Sequence, residues 1–541
     1  MKSSTAIRRH LGTGVGTGLL TVLLRRTTAA VGGIHRMYLT QALHRAVQQD
    51  PHRALTICGE RVRSVSESTD RIARLAAGLR AFGVERGDRV AVLGPNSDRY
   101  HECLLAVPWA DAVVMPINSR WVPAEIGFAL RDAAPAVLVV DAEFAPIIPT
   151  LHEHAPLPAV VVMGDGEAPA RCVAYERLIE ENPAMPDSRR GGDDLFGVFY
   201  TGGTTGRPKG VMLTHANMLT SALGSLATGE FVTPGGRLLH TAPMFHLADL
   251  ATWTATLVAG GTHVIVPGFT PAGVLAAIER QRVTDVLLVP TMIQLLVDFP
   301  DAARFDVSSL NHLIYGGSPM PEALLARARR MFPRTGFVQA YGMTELAPVA
   351  TLLLPADHAD PGLAHAAGRA APHAEIRIVD TDGADVPRGV VGEIAVRGDH
   401  VMRGYWRRPE ETAACLIDGW MHTGDAGFMD LRGYLFVVDR LKDMIISGDE
   451  NVYSAEVESA LASHPAVAVC AVIGLPDERW GERVHAIVVL TPEATVTGDE
   501  LREHCRGQLA GYKIPRSVEF VDALPVSSAG KVLKQQLRDR R

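Results

Sequence analysis

Residues 198–215 read VFYTGGTTGRPKGVMLTH. An apolar β run ends at Tyr200. Thr201, Gly202, Gly203, Thr204, Thr205 and Gly206 then interleave hydroxyls with residues lacking a side chain, ahead of Lys209. Small residues let main-chain N–H groups approach phosphate oxygens closely, and a lysine adds a compact positive charge. The segment is therefore suited to wrapping a polyphosphate. It is not a Walker loop, which needs Ser or Thr directly after the lysine, where Gly210 stands, and it lacks the spacing of a dinucleotide fingerprint. A plain glycine-rich turn would not need three threonines set among three glycines before Pro-Lys-Gly.

Such a loop must be carried by strands, and the flanking sequence supplies them. DRVAVLGPNS, AVVMPINSRW, AVLVVDAE and LPAVVVMGDG are short Val-rich runs ending in Gly, Pro, Asn or Asp, with helical patterns such as STDRIARLAAGLRAFG between them. This is α/β organisation. The alternation returns with GTHVIVPGF, VTDVLLVPTM and NHLIYGGSPM, which predicts a second α/β half. From EIRIVDTDGADVPRGVVGEIAVRGD onward, strands alternate with D-G and R-G turns, so a smaller β subdomain is expected. After residue 439 the pattern becomes helix, strand, helix, and predicts a compact C-terminal domain of about a hundred residues. The expected division is 37–438, a hinge at 439–443, and 444–541.

At 541 residues the chain exceeds one ordinary core. With 47% hydrophobic and 21% charged residues it reads as a globular protein with a large interior. A net charge of -7 carries no footprint for nucleic acid, so a phosphate-bearing ligand has to be held locally. The six cysteines form no C-x-x-C pair, which argues against a zinc knuckle or a disulfide framework and fits a reducing cytoplasm. Residues 1–49 contain no Asp or Glu, and RRHLGTGVGTGLLTVLLRR loosely imitates a signal peptide. Its apolar run is too short to span a bilayer and is closed by Arg25 and Arg26. Residues 1–36 are expected to be an extension or the product of a misplaced start, because Met37 opens an amphipathic helix.

The phosphate segment resembles that of the adenylate-forming superfamily, and YGMTE (341–345), GWMHTGD (419–425), DRLKDMI (439–445) and GKVLK (530–534) follow in that superfamily's order. GYWRRPEET, PMFH and VIGLPDERWGE are more similar to acyl-CoA synthetases acting on fatty or aryl acids than to peptide-synthetase domains. The resemblance implies a large N-terminal domain and a small, mobile α+β lid that rotates upon it. It also implies ATP, Mg²⁺ and coenzyme A as cofactors. The reaction implied is activation of a carboxylic acid through an acyl-adenylate, then transfer to coenzyme A. A carboxylate is a poor acyl donor, and joining two anions calls for a cation and at least one lysine.

On the matching positions, the resemblance implies polyphosphate contacts from residues 201–206 and Lys209. Glu345 would be the magnesium ligand, Thr344 a partner of the α-phosphate and Tyr341 a platform for adenine. Asp425 would accept the ribose hydroxyls, with Arg440 beside it. Lys531 would bridge the acid's carboxylate and the α-phosphate, and His246 in PMFH would gate the acid. Thr201, Glu345, His246 and Lys531 carry the implied catalytic roles. Lys442 resembles the hinge. Gly448, Asp449 and Glu450 resemble the loop that receives the pantetheine arm.

This sequence departs from the family pattern in places. Asp449 stands where a second glycine is common and brings a carboxylate to that loop. Ser454 and Val526 replace the common Pro and Arg, and Asp249 stands where Gly or Ala is usual. Alternatives follow: loading of a carrier-protein phosphopantetheine, or an adenylate-binding protein with an impaired thioester step. The partners expected are a small carboxylic acid and coenzyme A, with no nucleic acid and no spanning segment. Peripheral membrane contact and a homodimer are left open, and the expected location is cytoplasmic.

Overall fold

The computed structural model describes residues 36–201, 208–447, 450–492, 494–526 and 532–540. Two large sheets dominate it. The first has eight strands in the order 404–405, 209–214, 195–201, 113–116, 89–93, 137–141, 159–163 and 173–174. The second has nine, in the order 369–370, 351–353, 336–341, 312–316, 285–288, 237–240, 262–265, 54–58 and 61–64. Their central strands pair in parallel and are buried on both faces, which is why they read as continuous apolar runs.

One core cluster joins the two sheets. Val90, Val92, Val114 and Val137 from the first meet Leu55 and Ile265 from the second, through Leu75, Leu104, Met218, Leu250 and Trp253 of the helices between them. The helix Asp98–Trp109 lies so deep in this layer that all its residues are buried. Its charges are accordingly paired: Asp98 with Arg61 at 2.8 Å and Glu102 with Arg71 at 2.6 Å. The outer faces are covered separately, by Ile126, Leu130 and Leu151 on the first sheet and by Val274, Ile293 and Leu324 on the second. Helix starts follow local chemistry. Thr214 and Asn217 form a capping box at the helix His215–Leu226, directly after the strand that leaves the phosphate segment.

The expected β subdomain is an antiparallel sheet of strands 375–379, 392–397, 420–429 and 416–417, with 435–440 on the side of 420–429. A fourth sheet, of strands 450–452, 445–447, 481–490, 467–477 and 517–520, builds its own core around Val457, Leu461, Val472, Val484 and Leu501. The link between the two is short and polar. Asp439 accepts the Ser454 hydroxyl at 2.6 Å, Lys534 donates to the same hydroxyl at 2.5 Å, and Arg538 pairs with Asp443 at 2.9 Å. Among the described residues no helix is long and apolar enough to cross a membrane.

Candidate active site

The phosphate segment is bounded by a hairpin ladder, in which Thr201 lies opposite Lys209 and Tyr200 opposite Gly210. Gly202, Gly203, Thr204, Thr205 and Gly206 lie outside the described residues. The short strand 404–405 pairs on the other side, with Tyr405 opposite Val211. That pairing brings Tyr405 under Lys209, whose Nζ stands 5.1 Å from the ring centroid and 2.5 Å from Glu411. The Tyr405 hydroxyl donates to Glu345 Oε1 at 2.8 Å, and the Met402 N–H donates to the Glu345 carbonyl at 2.8 Å.

Glu345 sits in the turn Thr344–Leu346 that follows the strand Gly336–Tyr341. The turn is tight. A side chain at Gly342 would run into the Pro348 carbonyl, so glycine is required by close approach. The Glu345 carboxylate is buried, and burial pushes its pKa up against the Tyr405 hydrogen bond and the more distant Arg440 and Lys209. A buried carboxylate that accepts a tyrosine hydroxyl, next to the hairpin that bounds the Thr- and Gly-rich segment, fits Mg²⁺, an ion usually held by one or two carboxylates together with phosphate and water. Among the described residues there is no cluster of three or more His, Cys, Asp or Glu side chains able to cage a metal. Thr344 is half-buried in the same turn.

Asp425 and Arg440 face each other across the antiparallel strands 420–429 and 435–440. Arg440 Nε lies 2.6 Å from Asp425 Oδ1, and the Tyr341 hydroxyl donates to Asp425 Oδ2 at 2.7 Å. Burial and the Asp425 charge raise the Tyr341 phenol pKa well above its ordinary value, so it remains a donor. A second Arg440 nitrogen reaches the Thr423 carbonyl at 3.4 Å. The carboxylate, phenol and guanidinium thus share one polar patch at the end of the nine-stranded sheet. His246 opens the helix Leu247–Ala259, which follows the strand Arg237–His240 of that sheet. Because 237–240, 285–288, 312–316 and 336–341 run in parallel, His246, Gly316 and Glu345 all follow carboxyl ends of strands on one rim. That rim is where open α/β sheets bind ligands.

Glu450 is exposed at the start of the strand Glu450–Val452, opposite Ser447. Lys531, Gly448 and Asp449 lie outside the described residues. Sequence reasoning assigned no role to Tyr405, Glu411 or Thr423. The first two stand in GYWRRPEET, and that motif was the available signal.

Taken together, the hairpin, the buried carboxylate and the Asp–Arg–Tyr patch make a polar site of mixed charge, of the kind that suits a phosphate-bearing ligand. Residues 43–406 match the AMP-binding enzyme family, and 456–531 match the AMP-binding enzyme C-terminal domain. The chain is 43% identical over 498 residues to a feruloyl-CoA synthase from Amycolatopsis sp, covering 92% of this chain and 97% of the relative. It is 38% identical over 506 residues to an indoleacetate–CoA ligase from Aromatoleum aromaticum, covering 93% and 98%. Among solved structures, the amide bond synthetase McbA from Marinactinospora thermotolerans superposes with a TM-score of 0.83 at 33% identity, covering 93% of this chain and 99% of that one. The chain belongs to the AMP-binding enzyme family. It is an AMP-forming acid–CoA ligase that uses ATP, Mg²⁺ and coenzyme A.

Proposed function

We propose that the acid is an aryl-substituted carboxylic acid of the arylpropenoate or arylacetate kind, and that the residues of the rim divide the reaction between them. The observation that carries the division of labour is the pair of linked clusters Glu345–Tyr405–Lys209–Glu411 and Tyr341–Asp425–Arg440. The substrate class is supported by the identity to feruloyl-CoA synthase and indoleacetate–CoA ligase.

In this reading Lys209 leaves Glu411 for the polyphosphate, joined by Thr201 and residues 202–206. Glu345 holds Mg²⁺, which when bound supplies neutralising charge to the phosphate oxygens. Thr344 contacts the α-phosphate, and Tyr341 carries adenine. Asp425 accepts the ribose hydroxyls, with Arg440 beside it. His246 stands at the acid's carboxylate, and Lys531 bridges it to the α-phosphate. The lid, 444–541, then turns about 439–443 relative to 37–438, withdraws Lys531, and brings Gly448, Asp449 and Glu450 to the pantetheine arm. The six unpaired thiols support a cytoplasmic setting. The protein needs no nucleic acid in this reading; a homodimer or peripheral membrane contact would be additional to the chemistry.

Acid-dependent ATP–pyrophosphate exchange tests the reading. Ferulate and indoleacetate are expected to drive exchange more efficiently than palmitate, and the reverse order would overturn the substrate class. Lys531→Ala is expected to remove most exchange while a supplied acyl-adenylate is still converted to thioester. Equal loss of both steps would contradict a lid with two working orientations.

A further inference from the structure

Between the strand Arg237–His240 and the helix Leu247–Ala259 runs the six-residue segment TAPMFH, which ends at His246. Its two ends are joined by side chains. His240 Nδ1 lies 2.7 Å from Asp249 Oδ2, and both residues are buried. With Asp249 as the carboxylate, the Nδ1–H of His240 donates, leaving Nε2 as an acceptor for the Nδ1–H of His263 at 2.9 Å. The His240 and His263 ring planes lie within 19° of each other with centroids 5.1 Å apart, so the rings sit side by side along this bond. His101 packs 4.6 Å from His263, and Trp253, one turn along from Asp249, donates its indole N–H to His101 Nδ1 at 2.9 Å. The orientation of His240 is therefore set from behind as well as from Asp249. The middle of the segment is held independently. Asn96, buried at the end of the strand Arg89–Leu93, donates to the Ala242 carbonyl and accepts the Met244 N–H, each at 2.8 Å.

We propose that Asp249, through His240, is a positioning residue that staples this segment and so sets where His246 stands on the ligand-binding rim. Three features favour positioning over contact with the acid. Asp249 is 1% exposed and its carboxylate is engaged with His240. It lies in the first turn of the helix, where a negative charge also suits the helix N-terminus. And the staple closes a short loop whose last residue is His246, so a shift at its base is transmitted to the rim. The inference rests on the proposed role of His246 at the acid's carboxylate.

The test compares Asp249→Asn, which keeps an acceptor for His240, with Asp249→Leu, which does not. Exchange is measured with ferulate, indoleacetate and palmitate, and amide hydrogen exchange is followed over residues 241–246. Asp249→Leu is expected to raise the KM for the acid by about tenfold or more with the KM for ATP little changed, and to speed amide exchange in the segment. Asp249→Asn is expected to restore both. If Asp249→Leu does not fold, the double variant Asp249→Ala with His240→Asn removes both sides of the staple while a side-chain amide remains beside His263, and the same readouts apply. Unchanged amide exchange in a folded variant lacking the staple, a parallel rise in both KM values, or failure of Asp249→Asn to rescue would overturn the inference. If the wild-type protein exchanges with none of the three acids, the functional reading falls, and amide exchange alone decides whether the staple exists.

Discussion

Glu345 shows what a buried carboxylate costs the protein that carries it. Burial raises its pKa, so the folded state holds its proton more tightly than the unfolded chain. Stability from this group is therefore present below the ordinary carboxyl range and is lost as pH rises through the folded value. Replacing it by the neutral isostere removes that burden. Glu345→Gln is expected to abolish pyrophosphate exchange and yet to raise the melting temperature at pH 7.5, by on the order of 1 to 2 kcal/mol of stability. A lowered melting temperature would mean that the carboxylate is well satisfied without a metal. Asp449 is the second residue of consequence. If its carboxylate crowds the pantetheine arm, Asp449→Gly should speed thioester formation from a preformed acyl-adenylate by up to about tenfold, near 1.4 kcal/mol of barrier, and leave pyrophosphate exchange unchanged. An equal thioester rate with either residue would refute the crowding.

At the scale of elements, the segment around Leu39 and Thr40 gives a clean test. Leu39 is fully buried and its N–H donates to His215 Nδ1 at 3.3 Å, Thr40 donates to Asp187 at 2.7 Å, and the helix Gln41–Gln49 buries Leu43. A chain beginning at Met37 retains all of these anchors and is expected to keep its melting temperature and its exchange activity. A chain beginning at Gln41 loses Leu39 and Thr40, and should be less stable by about 2 to 4 kcal/mol. A large loss already at Met37 would show that earlier residues pack on the core. The link between the third and fourth sheets illustrates another elemental device. Ser454 opens the helix Ser454–Ala462 and joins Asp439 to Lys534, which itself pairs with Glu458 at 2.8 Å. A proline there could start the helix but could not make these bonds.

Over the whole molecule, the buried imidazoles set the response to acid. Burial lowers His101, His215 and His400 to about 3, and takes His263 well below its ordinary value. Folded, these rings stay neutral, whereas in the unfolded chain they take up protons below about pH 6.5. The unfolded state then binds more protons, so stability is full above that pH and falls as pH drops toward 3. The melting temperature is expected to decline between pH 7 and pH 5, before ordinary carboxylates titrate, with each imidazole contributing a slope of up to about 1.4 kcal/mol per pH unit once fully charged in the unfolded chain. A flat profile over that range would contradict the neutral, buried state.

Runs such as RVAVL and VLVVD could be read as strands because a fully buried parallel strand is apolar at successive residues, and that is a local property. The hydroxyl-and-glycine segment before Lys209 is a local pattern in the same sense, since the means of approaching a phosphate would be contained within a few neighbouring residues. The chain's own order of motifs was enough for the class of reaction. Tyr405 with Glu345, 60 positions apart, and Tyr341 with Asp425, 84 apart, are pairings that no local pattern encodes. They exist because one short strand adds to the phosphate hairpin and because two sheets end at the same place. Asp249 makes the point most sharply. As a sequence feature it was an unusual acid on an apolar helix, and only tertiary packing decides whether such a group faces a ligand or a buried histidine. Burying a carboxylate without a partner is costly, and the partner, His240, is supplied by a neighbouring strand of the folded sheet.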